Sequence, residues 1–186
     1  MIRALPNLVS LLRLFLVPLA LAAIWNRQYE RALGWCFIAG ISDGLDGFLA
    51  RRLHAQSRFG AYLDPLADKL LLSGVYLTLG VDRAIPWWLV AVVFGRDALM
   101  LIFLALLILF TRHRDFPPSI WGKISTAIQI VTALVILLRR SGLLFEIPGH
   151  LELFFMLLTV TATGWSAIHY LWRGLGIVRP ERGVAA

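Results

Sequence analysis

The segment SDGLDGFLARRLHAQSRFGAYLDPLADK, residues 42–69, carries four aspartates inside a chain of 186 residues that is 59% hydrophobic. The mean hydropathy of the chain is +0.77, and only 16% of its residues are charged. This composition is typical of polytopic membrane proteins far more than of soluble domains. The four carboxylates therefore have to be explained against a background of lipid-soluble helices.

Six apolar segments are long enough to cross a hydrocarbon core of ~30 Å. They cover roughly residues 8–25, 32–53, 59–81, 86–110, 120–138 and 151–172. Prolines precede or open the last three segments, where the first helical turn tolerates them. Because Arg13 and Pro18 interrupt the first segment, we expect it to be retained and not cleaved as a signal peptide. We predict an all-α polytopic membrane protein with six transmembrane helices, formed by a single domain over residues 1–186.

Arginine and lysine are unevenly distributed between the two ends of these segments. Most lie on the amino-terminal side, and the opposite side carries Arg27, Arg31, Arg83, Arg139 and Arg140. We expect a multi-pass protein of the cell inner (cytoplasmic) membrane. By the positive-inside rule, both termini and the aspartate-bearing ends of the helices face the cytoplasm. The net charge of +7 is explained by this orientation and by anionic lipid headgroups, so we expect no nucleic-acid partner.

The aspartates form two pairs with helical spacing. Asp43 and Asp46 are three residues apart, and Asp64 and Asp68 are four apart, so each pair lies on one face of its own helix. The two helices are consecutive and joined by a short polar stretch, so we expect the four carboxylates to converge. An aspartate inside a membrane costs ~2.5–3.5 kcal/mol, so cations must offset the cluster. Neighbouring arginines and Lys69 could do so, but an all-oxygen cluster is also the ligand set that magnesium, manganese and calcium prefer.

Glycines accompany both pairs of aspartates. Gly47 follows Asp43 by four residues, and Gly60 precedes Asp64 by four, so each glycine shares a face with a carboxylate. Small residues can serve only to bring membrane helices close together. They can also leave room for a flat ligand, and with Arg51 available for a phosphate the set has the parts of a nucleotide–diphosphate site.

This pattern resembles the signature of the CDP-alcohol phosphatidyltransferase family. Its fixed positions are matched, with the family's spacing, by Asp43, Asp46, Gly47, Ala50, Arg51, Gly60, Asp64 and Asp68. The resemblance implies transfer of the phosphatidyl group of CDP-diacylglycerol to an alcohol, with release of CMP. It also implies two divalent ions, Mg²⁺ or Mn²⁺, at the cytoplasmic face of the membrane.

The resemblance further implies roles for individual residues. Asp43, Asp46 and Asp64 would be metal ligands, and Asp68 would be both a ligand and the catalytic base. The positions implied for binding the CDP-lipid are Gly47, Arg51, Ser57, Gly60, Asn7 and Ser10. For Asn7, a cap on the first helix is the alternative, and Ser10 replaces the threonine usual in the family.

Residues 94–100 and 117–129 resemble the phosphatidylglycerophosphate synthase branch, whose acceptor is glycerol 3-phosphate. We expect Lys123, Arg96 and Thr126 to bind this small alcohol acceptor through its phosphate. An ion pair with Asp97 is the alternative for Arg96, and an orientation-setting side chain at the membrane surface is the alternative for Lys123. We also expect membrane lipids as partners and a homodimer.

Other activities fit parts of the pattern. A cardiolipin synthase of the same superfamily would use phosphatidylglycerol as the acceptor. A divalent-cation transporter could use the same carboxylates, but the opposite half of the membrane lacks a comparable cluster. An intramembrane prenyltransferase also depends on aspartates and metal, yet its aspartate spacing differs and it would release no CMP.

Overall fold

The computed structural model describes the backbone of residues 5–53, 60–110, 120–143 and 147–178, and the side chains of residues 12, 14–42, 69–102, 120–143 and 147–172. This part of the chain contains six helices and no strand. They are α1 (Leu5–Trp25), α2 (Tyr29–Leu53), α3 (Gly60–Val81), α4 (Trp87–Phe110), α5 (Ile120–Ser141) and α6 (Gly149–Val178). The predicted all-α class is confirmed, and each helix overlaps one of the six apolar segments along most of its length.

In the described part of the chain, three helices are followed closely by a residue with a left-handed backbone. Arg27 after α1, Arg83 after α3 and Gly142 after α5 have φ values of 57°, 59° and 69°. At Arg27, the N–H bonds to the carbonyl three residues earlier, and the next N–H bonds to the carbonyl five residues earlier, both at 2.8 Å. The end at Arg83 repeats this Schellman pattern, which satisfies the last helical carbonyls. Glycine is usual at this position because a side chain there costs roughly 1–2 kcal/mol, so two arginines are unexpected.

Contacts divide the chain into two compact units, and the first comprises Met1–Trp87 and Ala133–Gly149. In this unit α1 packs against both α2 and α3. The contact between α1 and α3 is close, since a Cβ added to Gly74 would lie 2.8 Å from a methyl group of Leu21. Tyr76 and Leu79 are fully buried on α3, as is Ile24 on α1. The helix α1 therefore connects the two helices that carry the aspartates.

Asp82 joins the turns that follow α1 and α3. Its carboxylate accepts hydrogen bonds from Arg27 Nε, at 2.8 Å, and from the hydroxyl of Tyr29. Burial alone would raise the pKa of Asp82, but these two bonds and the charges of Arg27 and Arg140 together hold it below its usual value. Burial, followed by the bond to Asp82 and its charge, raises the pKa of Tyr29 to about 12. At neutral pH the junction thus pairs an ionised carboxylate with a protonated phenol.

The second unit comprises Trp88–Thr132 and His150–Ala186 and contains a polar seam between α5 and α6. We define the seam as Ser125, Gln129 and Thr132 on α5 with Thr159 and Thr163 on α6, all buried. The hydroxyls of Thr132 and Thr159 lie 2.7 Å apart, and those of Ser125 and Thr163 lie 3.2 Å apart. The Gln129 amide donates to the Thr163 hydroxyl at 3.1 Å. Hydrogen bonds between side chains therefore link these two helices.

Large apolar side chains face outward in both units. Phe15 and Phe37 in the first unit are 66% and 65% exposed, and Trp172 in the second is 77% exposed. Water-soluble monomers rarely expose apolar surface on this scale. Buried hydroxyls and amides combined with an apolar exterior are the distribution expected for helices surrounded by lipid.

Two helices of the described part are long and apolar enough, by length and composition, to cross a membrane. They are Ile120–Ser141 and the Gly149–Trp172 part of α6. Shorter apolar stretches cover Leu14–Trp25 and Lys69–Val81. Two crossing helices are consistent with the predicted membrane protein, and the six-span arrangement stays a prediction. The single-domain assignment likewise stays a prediction.

The seam generates a prediction for helix packing. In a double-mutant cycle, Thr132→Val and Thr159→Val should show a coupling free energy of about 0.6 kcal/mol, with an upper bound near 1.7 kcal/mol, because each substitution removes one partner of the same bond. The measurement is reversible unfolding in mixed detergent micelles. Thr161→Val is the matched control, since Thr161 is exposed and its hydroxyl bonds to carbonyls of its own helix. Additive effects of the two seam substitutions would contradict the assignment.

Candidate active site

The four aspartates lie on the two helices that α1 contacts. Asp43 and Asp46 belong to α2, and Asp64 and Asp68 belong to α3. The helical backbone is continuous across both pairs, so spacings of three and four residues put each pair on one face of its helix. The aspartate side chains lie outside the described residues, and their convergence on a metal stays a prediction.

Both pairs lie in the helix halves that adjoin the connection between α2 and α3. Asp46 is about 10 Å of helix rise from the last residue of α2, and Asp64 is about 6 Å from the first residue of α3. Residues 54–59, which join these ends, are outside the described part of the chain. Since the two helix ends follow each other directly in sequence, their positions are compatible with a shared site at one end of the pair.

The residues expected to bind the CDP-lipid are distributed over the same three helices. Gly47 and Arg51 lie on α2, and Gly60 is the first residue of α3. Asn7 and Ser10 lie within α1, which begins at Leu5, so Asn7 is inside the helix and does not occupy its N-cap. The cap considered as the alternative for Asn7 is therefore wrong. The structure describes no side chain at these positions, and Ser57 lies outside the described residues entirely.

Arg96 on α4 joins three helices of the second unit. It is only 6% exposed, and its Nη1 donates to Asp97 at 2.8 Å. Its Nη2 lies 3.3 Å from the Gly122 carbonyl on α5 and 3.4 Å from the Ser166 hydroxyl on α6, donating to both. Its Nε has no hydrogen-bond partner among the described residues. The ion pair with Asp97, considered as an alternative role for Arg96, is present.

Gly122 is the point of closest approach between α5 and Arg96. A Cβ at this position would lie 3.1 Å from Arg96 Nη2, so a side chain here would push against the guanidinium. The Gly122 carbonyl also accepts a hydrogen bond from the Thr126 hydroxyl at 3.0 Å. Lys123, the next residue, is exposed in the first turn of α5 and has no ion-pair partner within the described part of the chain. Arg96 and Thr126 thus hold the turn that presents Lys123.

No group of three His, Cys, Asp or Glu side chains that could hold a metal occurs among the described residues. The four aspartates are outside that set, so this result leaves their role open. What the structure contributes to a metal site is the helical backbone, which gives carboxylates on one face of each of two successive helices. Oxygen ligands of this kind suit Mg²⁺ or Mn²⁺.

Sequence reasoning missed two partners of Arg96, which are the backbone carbonyl of Gly122 and the side-chain hydroxyl of Ser166. A signal was present in the spacing of the polar residues. Ser125, Gln129 and Thr132 on α5 are separated by four and three residues, and Thr159, Thr163 and Ser166 on α6 repeat those separations. Two apolar helices with matching polar faces are expected to pair through them.

Comparison with known proteins agrees with the aspartate pattern. Residues 3–168 match the family described as CDP-alcohol phosphatidyltransferase. The "Probable phosphatidylglycerophosphate synthase" of Mycobacterium tuberculosis (strain ATCC 25618 / H37Rv) is 31% identical over 182 residues, covering 94% of this chain and 85% of that protein. The "CDP-diacylglycerol--glycerol-3-phosphate 3-phosphatidyltransferase" of Escherichia coli (strain K12) is 33% identical over 174 residues, covering 89% of this chain and 92% of that protein.

The matched region includes α1 to α5 and most of α6, and with them all four aspartates and the turn that presents Lys123. Both relatives are covered over most of their length. The chain therefore belongs to the CDP-alcohol phosphatidyltransferase family.

Proposed function

We propose that this protein transfers the phosphatidyl group of CDP-diacylglycerol to glycerol 3-phosphate, releasing CMP and forming phosphatidylglycerophosphate. The observation that carries the proposal is the family match across the complete aspartate pattern on α2 and α3. The choice of acceptor is supported by the two relatives, because the name of each denotes this reaction or its product. The exposed Lys123 adds a cation suited to the phosphate of such an acceptor.

Two divalent ions, Mg²⁺ or Mn²⁺, would be held by Asp43, Asp46, Asp64 and Asp68. Bound there, they would supply charge neutralisation for the phosphates of the CDP-lipid. Asp68 would also take the proton from the attacking hydroxyl of the acceptor. Support for this assignment comes from the hard-cation preference for carboxylate oxygens and from the one-sided spacing of each pair on its helix.

The CDP-lipid would occupy the space that the small residues Gly47 and Gly60 leave beside the carboxylates. Arg51 would donate a bidentate pair of hydrogen bonds to one of its phosphates, a geometry that a planar guanidinium provides and an ammonium does not. The remaining pocket residues would be Asn7, Ser10 and Ser57. Support for Asn7 as a binding residue comes from its position inside α1, where capping does not account for it.

The acceptor phosphate would be bound by Lys123, with Arg96 and Thr126 in support. Arg96 already donates hydrogen bonds to Asp97, Gly122 and Ser166, and the Thr126 hydroxyl donates a hydrogen bond to the Gly122 carbonyl. The contribution we assign to Arg96 and Thr126 is therefore to hold the first turn of α5 in place. A fixed turn lowers the entropic cost of bringing Lys123 to a bound phosphate.

We further propose six transmembrane helices in the cell inner membrane, with both termini and the aspartates on the cytoplasmic side. The distribution of arginines supports this orientation, and the outward-facing apolar side chains support contact with lipid around the helices. We also propose a homodimer, which cross-linking in native membranes would test.

Purified protein supplied with labelled CDP-diacylglycerol, Mg²⁺ or Mn²⁺, and one alcohol at a time tests the reaction. We expect CMP release and phosphatidylglycerophosphate with glycerol 3-phosphate. Formation of cardiolipin from phosphatidylglycerol, with no reaction of glycerol 3-phosphate, would show that the acceptor is phosphatidylglycerol. The assignment of phosphatidyl transfer itself would remain valid. Divalent-cation uptake into vesicles without any CMP release would overturn the transfer reaction itself.

Replacing Asp43, Asp46 or Asp64 by Asn should reduce turnover by more than about a hundredfold, since even groups that only support metal ligands contribute about 10–100-fold. Asparagine keeps the volume of the side chain, so membrane insertion and the helical circular dichroism signal should not change. The measurement is turnover at a series of Mn²⁺ concentrations. Near-normal turnover of all three variants at limiting Mn²⁺ would refute the metal assignment.

Arg51→Lys should weaken binding of CDP-diacylglycerol, because lysine preserves the charge and loses the two-pronged contact with phosphate. A charge-assisted hydrogen bond is worth roughly 1.5–3 kcal/mol, so loss of one corresponds to about a ten- to hundredfold rise in the dissociation constant. Equilibrium binding of the CDP-lipid in micelles measures this change. An unaltered dissociation constant would indicate that Arg51 only neutralises an aspartate.

Lys123→Ala should raise the KM for glycerol 3-phosphate about ten- to a hundredfold and leave that for CDP-diacylglycerol nearly unchanged, because only the acceptor loses a charged partner. Lys123→Arg is the matched variant that keeps a cation, and it should recover most of the affinity. Steady-state kinetics with each substrate varied separately make the measurement. Equal effects on both KM values would exclude a specific contact with the acceptor.

A further inference from the structure

The turns after α1 and α3 border an open cavity of about 370 Å³ in the first unit. Trp25, Arg27, Val81, Asp82 and Arg83 line it. Val81, the last residue of α3, is about 20 Å of helix rise from Asp68. Tyr29, the first residue of α2, is about 21 Å of helix rise from Asp43. The cavity therefore lies at the end of these helices remote from the aspartates and is a separate site.

Both arginines of this cavity have an unusual backbone. Arg27 and Arg83 are the two non-glycine residues with positive φ among the described residues. The third helix with the same type of ending, α5, has Gly142 at the equivalent position, where glycine adopts the conformation without steric cost. Backbone hydrogen bonds hold both turns in this conformation, so an arginine kept there at a cost of roughly 1–2 kcal/mol points to a role for its side chain.

The contacts within the protein account for only one of the two arginines. Arg27 donates through Nε to Asp82, while the side chain of Arg83 is exposed and forms no hydrogen bond or ion pair with another described residue. The Arg27 side chain is still 75% exposed, so its terminal nitrogens face the cavity region or solvent. For Arg83 in particular, no contact among the described residues explains why an arginine stands at this position.

The acid in the cavity wall does not oppose an anionic ligand as strongly as its charge suggests. Asp82 is only 9% exposed, and its carboxylate already accepts bonds from Arg27 and Tyr29. Its effect is to fix the direction of the Arg27 guanidinium. Two guanidinium groups beside one cavity match the oxygen atoms of a phosphate, which accepts their paired N–H groups.

The surroundings of the cavity favour a lipid over a free anion. Trp25 is 66% exposed and Trp87, near the start of α4, is 55% exposed, as expected for residues at a membrane–water interface. Val81, which is 44% exposed, adds an apolar wall beside the arginines. A phospholipid would place its phosphate against the guanidinium groups and its chains along the apolar wall, whereas inorganic phosphate would use only the first of these.

We propose that Arg27 and Arg83 bind the headgroup phosphate of an anionic phospholipid at the end of α1 and α3 remote from the aspartates. With the orientation proposed above, this lipid belongs to the outer leaflet; the binding site itself does not depend on that orientation. Because the two arginines follow different helices, a bound phosphate links α1 to α3. Anionic lipid should therefore stabilise the packing of α1 on α3 without taking part in phosphatidyl transfer.

The test compares metal-free protein in phosphatidylcholine nanodiscs with the same protein in discs containing phosphatidylglycerol. We expect phosphatidylglycerol to raise the Tm of the unaltered protein, which circular dichroism measures. Arg83→Gly removes the guanidinium and relieves the backbone, so this variant should fold with an equal or higher Tm in phosphatidylcholine and lose most of the gain from phosphatidylglycerol. Arg31→Gln, which removes a charge from the same end outside this cavity, should keep the gain.

Native mass spectrometry gives a second measurement, in which the Arg83→Gly variant should retain one phosphatidylglycerol fewer than the unaltered protein. A full gain in Tm for Arg83→Gly would overturn the proposal. Equal losses of the Tm gain for Arg83→Gly and Arg31→Gln would overturn the specific site and indicate diffuse attraction of anionic lipid. An equal Tm gain with inorganic phosphate alone would show that the ligand is a free anion and not a lipid. None of these measurements requires turnover, so failure of the proposed transfer reaction would be seen separately.

Discussion

Hydrocarbon offers no hydrogen-bond partner, so a polar group inside a membrane has to be satisfied by the protein that contains it. The second unit follows this constraint closely. The hydroxyls and amide of the polar seam bond to one another across α5 and α6, and most of the donors of Arg96 are taken up by three helices. Apolar side chains occupy the exterior, where lipid solvates them. Polar contacts between helices thus contribute to the packing of this unit, while its exterior is apolar.

The same constraint explains why the four aspartates require a compensating positive charge. Four carboxylates on two successive apolar helices cannot remain uncompensated, and a divalent cation compensates two charges at a single point. With the metal assignment proposed above, the compensation and the chemistry would coincide, because the cation that offsets the acids would also bind the phosphates of the substrate. At the opposite end of the helices the charge is offset differently, since Asp82 accepts hydrogen bonds from Arg27 and Tyr29.

Much of the fold could be predicted because lipid-crossing helices have a fixed length and leave a simple pattern in the sequence. The predicted boundaries failed where a local signal was overruled. The last helix continues to Val178, past Gly174 and Gly176, although glycines usually indicate its end, and α5 continues through Arg139 and Arg140 to Ser141. In the second case Gly142 was the better signal, because the left-handed residue after a helix is most often glycine.

The parts of the site that could not be predicted depend on contacts between helices. The spacing of polar residues indicates that α5 and α6 pair, but it does not indicate that Arg96 of α4 contacts Ser166. The aspartates were accessible to prediction for the opposite reason. Their spacing is meaningful within each helix, and the two helices adjoin in sequence.

The proline within α1 has a mechanical consequence. Pro18 has no N–H, so the carbonyl of Leu14 has no donor within the helix, and the proline ring crowds the same carbonyl. Bending α1 at this level therefore breaks fewer hydrogen bonds than bending it elsewhere. The proline divides a stretch that includes Asn7 from one that packs on α3 through Leu21. The stiffness of α1 is thus lowest between these two parts, so the first can change direction while the second stays packed.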